Sequence, residues 1–151
     1  MANVANVGDI TSANATLVLT VEGLFPAGIQ LEQFATDQSY SQDTVTIAED
    51  RQGVDGYLVA GWVPSIKAVT IMLEASSPSH EYMCQLFRAC EQKRGIYQCT
   101  LVASVPSIGK TFTWTGGVLK SGTPVPNAKR VLDPTTWVFD FANLYTAEAA
   151  A

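Results

Sequence analysis

The chain has 151 residues, a formal net charge of −5 and 15% charged residues, against about 25% in an average soluble domain. This length suits one domain with a sizeable core, the acidic balance argues against a module that grips nucleic acid, and no apolar run approaches the ~20 residues of a membrane-spanning helix. Three cysteines cannot all pair within one chain, so reduced cysteines packed as small hydrophobes in a cytosolic setting are expected.

Residues 1–14 are mostly small or polar, with no basic stretch leading into an apolar run. They are expected to form a flexible arm and not a targeting segment. From Ala15 to Val21 the pattern alternates, with Leu17, Leu19 and Val21 on one face and Thr16 and Thr20 on the other, which predicts a half-buried strand. Gly23, Pro26 and Gly28 punctuate a return, and Ile29, Leu31 and Gln33 continue on a second strand. Thr36 to Asp55 is polar, acidic and weakly alternating, with Thr44–Ile47 as a short strand. It is too long for an ordinary connection, so it either carries function or becomes ordered against a neighbour. Asp55-Gly56 signals a tight turn before a strand at Tyr57–Val63, and Val69–Leu73 follows as another.

One helix is predicted over about 78–94. Ser77 caps it, Pro78 takes the first position and Glu81 lies in the first turn. Met83, Leu86, Phe87 and Cys90 form a single apolar stripe, Lys93 and Arg94 suit the C-terminal dipole, and Gly95 ends it. Cys84 and Cys90, six apart, point to different faces. Strands resume at Tyr97–Val102 and Thr111–Thr115. Gly116-Gly117 marks a bulge before Val118-Leu119, and Gly122–Pro134 reads as a loop. In Trp137–Phe141 the three aromatics turn inward, while 146–151 is expected to be a flexible tail. The total is seven or eight strands and one helix, a mainly β sandwich or barrel spanning 15–145 as one domain with a flanking helix.

Chemistry-bearing constellations are absent from this pattern. A catalytic site needs a nucleophile, a base and a stabiliser, and the one histidine, His80, reads as a neutral surface side chain. His80, Cys84 and Cys90 lack zinc-site spacing, so no catalytic, cofactor or metal residues are assigned. Ser104–Thr111 imitates a phosphate-binding loop, but its first glycine is a serine and a strand follows where a helix is required, so a hairpin turn at Ile108–Lys110 is expected. Trp62, Trp114 and Trp137 are expected in the core.

Charge is divided unevenly. Residues 1–66 carry −7, with Arg51 as the one base, and residues 67–151 carry +2. Together with the low charged fraction, this suggests head-to-tail contacts between copies. The candidate contact residues are Tyr40, Asp43, Thr44, Val45, Ile47, Glu49, Asp50 and Arg51.

The runs Ala15–Phe25 and Ile29–Asp37, the Gly53–Gly56 turn with Gly61–Pro64, Val69–Ser79 ahead of the helix, and Phe112–Leu119 together resemble tail tube proteins of contractile-tailed bacteriophages, over roughly residues 15–141. The resemblance implies hexameric rings stacked into a hollow conduit for the genome, and a fold shared with pyocin and type VI secretion tube proteins. It further implies sheath, baseplate or initiator, and tape-measure partners, and a place in the virion tail after assembly in the host cytoplasm. DNA would pass without specific binding, and Glu32, Asp37, Glu49 and Asp50 are candidate acids for a lumen that repels phosphates. The alternatives are a tube subunit of a phage-like secretion machine and a monomeric β-sandwich binding module; an enzyme is not expected.

Overall fold

Strand side chains alternate between faces, and in the computed structural model this alternation builds one curled sheet around a single core. The structure describes residues 15–31 and 40–148. In chain order the elements are β1 (Thr16–Val21), β2 (Phe25–Gln30), β3 (Tyr40–Gln42), β4 (Ala48–Gln52), β5 (Leu58–Trp62), β6 (Lys67–Leu73), α1 (Pro78–Lys93), β7 (Cys99–Val105), β8 (Lys110–Gly122) and β9 (Thr135–Glu148). Seven strands form an antiparallel sheet in the order β2-β1-β7-β8-β9-β6-β3, and β4 and β5 form a separate pair.

The registers align one apolar face across the large sheet. Leu19, Leu101, Trp114 and Leu144 lie in line across β1, β7, β8 and β9. Phe139 faces Val69, and Trp137 faces Ile71. These rows merge into one cluster with Met83 and Leu86 of α1. The sheet is strongly curled. Strands β8 and β3 are separated by β9 and β6, which in a flat sheet would set them about 14 Å apart. Even so, Trp114 Nε1 donates to Gln42 Oε1 at 2.6 Å, and the Tyr40 and Trp114 rings are 6.4 Å apart. The architecture is thus the mainly β, barrel-like arrangement with one flanking helix that the sequence predicts.

Two bulges in β8 keep this face continuous. Between Trp114 and Gly117 the strand takes one more residue than β7, with Gly116 at φ +65°. A second irregularity separates Leu119 from Ser121 opposite β9. Each bulge delivers a glycine beneath an aromatic ring of β9: a Cβ on Gly117 would run into Phe141, and one on Gly122 into Trp137.

Helix α1 follows its sequence signals at the start. Ser77 accepts from the Ser79 amide at 3.2 Å, and Pro78 opens the helix. Tyr82 meets Phe25 edge-on at 5.5 Å, and Phe87 lies 6.5 Å from Trp137, which fixes the helix against both β2 and β9. The end differs from expectation, because the left-handed residue is Arg94 (φ 52°) and not Gly95. Gly95 instead donates its amide to the Cys90 carbonyl at 3.4 Å.

Other boundaries also move. The expected strand at Thr44–Ile47 is irregular backbone, and its place is taken by β3 before it and β4 after it, giving nine strands among the described residues. Strand β8 runs on to Gly122, and β9 runs past the expected tail boundary to Glu148, because the two strands pair from Gly122–Trp137 out to Lys110–Glu148. The turn after β7 is a short 3-10 turn at Pro106–Ile108, closed by Gly109 at φ +67°, consistent with a hairpin and not a phosphate loop.

Gly117→Ala and Gly122→Ala are each expected to lower stability by about 1–3 kcal/mol through overpacking. Gly61→Ala, where an added Cβ meets nothing within 4 Å, should leave stability unchanged. Urea denaturation of the three variants below any assembly concentration checks this.

Candidate assembly surface

The β4–β5 hairpin is built unlike the rest of the chain. Its pairing runs from Ala48–Trp62 to Gln52–Leu58, and all ten strand residues are exposed. The turn behaves as the Asp55-Gly56 signal predicts. Gly56 sits at φ +90° and donates to the Gly53 carbonyl at 3.0 Å, while Gly53 donates to the Tyr57 carbonyl at 2.9 Å. The base is tied by the Val63 amide to the Ile47 carbonyl at 2.9 Å and by Ser65 Oγ to the Thr46 carbonyl at 2.6 Å.

The pairing register sorts the side chains. Ala48, Trp62, Asp50, Ala60, Gln52 and Leu58 share one face, and Glu49, Gly61, Arg51 and Val59 share the other. Trp62 is 73% exposed, Leu58 67% and Ile47 68%. A lone two-stranded hairpin is marginal in water, and a contiguous exposed apolar patch marks a surface that another molecule covers. Trp62 therefore corrects the sequence expectation of a core tryptophan. Trp114 and Trp137 are buried as expected.

The sequence-predicted contact residues divide between settings. Tyr40 is half-buried, its ring turned to Trp114, and burial pushes its hydroxyl pKa up. Asp43 and Thr44 are exposed and Val45 is half-buried on the irregular link, and Ile47, Glu49, Asp50 and Arg51 are exposed on or beside the hairpin. Glu49 and Asp50 lie on opposite faces of β4, so they do not share one environment. Glu32 and Asp37 fall outside the described residues. Sequence analysis missed the apolar half of this surface, Leu58, Val59 and Trp62, because a strand rich in such residues reads as core.

A second feature concerns His80, which is half-buried and not the surface side chain expected. Thr135 Oγ1 donates to the Leu73 carbonyl at 3.3 Å and accepts from Trp137 Nε1 at 3.1 Å. With its one proton so placed, Thr135 accepts from His80 Nδ1 at 3.3 Å, leaving Nε2 as the acceptor facing Cys84 Sγ at 3.5 Å. The pairing superficially resembles a cysteine–histidine dyad. However, burial and then the Glu81 carboxylate raise the Cys84 pKa, the opposite of an activated nucleophile. The cluster joins the first turns of α1 to β9. Among the described residues no group of three or more His, Cys, Asp and Glu gathers to hold a metal, and no helix is long and apolar enough to cross a membrane.

The described residues thus form a curled antiparallel sheet with a flanking helix and an exposed hairpin beside it that carries apolar side chains. A family model described as tail fiber protein gp32 matches residues 8–145, and the chain belongs to that family. No curated protein sequence matches it.

Solved structures give the fold. A chain from the sheath–tube complex of an extracellular contractile injection system (PVC, extended state) is 9% identical with a TM-score of 0.64, and the match covers 99% of this chain and 100% of that one. A chain from the cap terminating the tube of the anti-feeding prophage is 11% identical, TM-score 0.59, covering 99% and 100%. One from the baseplate of that prophage is 10% identical, TM-score 0.59, covering 96% and 99%. The resemblance to tube proteins of contractile systems therefore holds at the level of fold.

Burial pushes the Cys99 thiol pKa up to about 12, with the neighbouring Cys90 adding to the rise. An unfolded thiol ionises near 8.5. The unfolded state thus releases its proton first, and the contribution of Cys99 to stability, complete below that value, is lost as pH climbs toward 12. Denaturation midpoints of Cys99→Ala should accordingly fall less than wild type between pH 9 and about 11, and native Cys99 should resist thiol reagents at pH 8.

Proposed function

We propose that this chain is the tube subunit of a contractile phage tail: six copies close a ring, rings stack, and the hollow stack conducts the genome. The observation that carries the reading is the β4–β5 hairpin, exposed on both faces, on a fold found in chains of sheath–tube and tube-cap assemblies. The role is structural and not catalytic. A ring neighbour or the next ring would cover Leu58, Val59 and Trp62, and full burial of a Leu or Val side chain stabilises by about 1.5–3 kcal/mol. Sheath, baseplate or initiator, and tape-measure proteins are the partners this role requires. The virion tail is its location, after assembly in the host cytoplasm. The acids Glu49 and Asp50, with Glu32 and Asp37, would supply negative charge to the lumen or the ring contact.

A second reading is favoured by the same comparisons, since the solved relatives come from an extracellular injection system and an anti-feeding prophage. In it the tube belongs to a phage-like secretion or contractile machine; DNA in purified particles separates the two. The family description of a tail fiber predicts solid filaments in place of hollow ones.

Electron microscopy of the purified chain at rising concentration, with its mass in solution, tests the proposal. Rings or hollow tubes of uniform width are expected, and a persistent monomer even with tail-assembly partners would overturn it. Trp62→Asp with Leu58→Asp should abolish tubes while leaving the monomer's denaturation curve within about 0.5 kcal/mol of wild type, as surface changes do. Glu49→Lys with Asp50→Lys should impair ring assembly or slow genome ejection, and normal behaviour on both counts would remove these acids from either role.

A further inference from the structure

A groove of about 360 Å³ lies at the foot of the hairpin, lined by Pro64, Ile66, Gly116, Asp140, Phe141 and Ala142. Its walls are mainly apolar, but Asp140 enters it from β9. Among the described residues Asp140 Oδ1, which is buried, has no hydrogen-bond partner, and Oδ2 has only Lys120 Nζ at 3.9 Å. A carboxylate held only by one loose ion pair is under-satisfied, so Asp140 would gain from a further cationic group arriving with apolar surface beside it.

The chain itself carries a group of that description. Arg51 is exposed on β4 with no ion pair among the described residues, and it is the one base in residues 1–66. Its cross-strand neighbour on the same hairpin face is Val59, 57% exposed, so guanidinium and apolar surface are presented together. Glu49, also on that face, would meet the cationic flank of the groove, where Lys120 lies and where Lys67 Nζ donates to the Ser65 and Ala142 carbonyls at 3.1 Å each. The hairpin face thus carries an acid and a base, and the groove and its flanks carry a base and an acid, a complementary set of charges.

We propose that the groove at Asp140 receives the Glu49–Arg51–Val59 face of the hairpin from a second copy of this chain, with Arg51 pairing with the partly exposed Asp140 carboxylate. The inference rests on the self-assembly proposed above and names the contact that carries it. The occupant is a second copy and not another partner, because both halves of the match are in one sequence, and a contact of two different patches on identical chains is head-to-tail and propagates.

The test mixes two single variants, Val59→Cys and Ala142→Cys, both at exposed positions, and treats the assembled mixture with a short bismaleimide. Wild-type chains, with Cys84 and Cys90, set the background. Cross-linked dimers joining the two variants are expected in the mixture and not in either variant alone. Adding Asp140→Asn to the Ala142→Cys chain should raise the concentration needed for assembly by about tenfold or more. Rings or tubes that form without the cross-link would overturn this contact while leaving the assembly reading intact. Absence of any assembly from wild type would overturn both.

Discussion

The fold depends on the fit between the aromatic row of β9 and the glycines of β8. Trp137, Phe139 and Phe141 are almost completely buried, and rings of that size need room that a regular neighbouring strand does not leave. Strand β8 makes the room twice, by a bulge and then a glycine under a ring. Bulges also increase local twist, and the sheet they twist curls until β3 reaches Trp114 of β8. The helix then closes the core, with Phe87 and His80 against Trp137.

Around that core the exposed hairpin stands apart from the residues that hold the fold. The residues that hold the sheet are inward and uncharged, whereas the hairpin carries Glu49, Asp50, Arg51 and its apolar group on a sheet of its own. A substitution in the hairpin is therefore expected to have little effect on whether the chain folds. The His80–Thr135–Trp137 linkage belongs to the other class: it ties helix to sheet through a half-buried His80 and the fully buried Thr135 and Trp137, each given a partner.

Much of this was legible in the sequence. Period-two alternation marked β1, β6, β8 and β9, and Ser77-Pro78 with the Met83–Cys90 stripe marked the helix, because these segments bury one face and must show it. The stretch 36–55 was recognised as unusual, but its strands were misplaced: β4 buries neither face within the subunit, so no alternation identifies it. Trp62 was assigned to the core for the mirror-image reason, since hydrophobicity reports that a side chain will be covered and not by which chain. His80 was read as a surface residue because its partner Thr135 is 55 positions away, and no local pattern encodes that meeting.

The separate hairpin has a kinetic consequence. If a neighbour supplies its missing cover, the entropy of fixing it is lost only on docking. Each head-to-tail junction orders one hairpin against one groove, but two free subunits gain a single junction, whereas a subunit joining a formed ring or stack would gain contacts to several neighbours at once. Spontaneous starts are then rare and elongation is quick, so the number of filaments, and through it their length, is decided by whatever provides the first ordered edge.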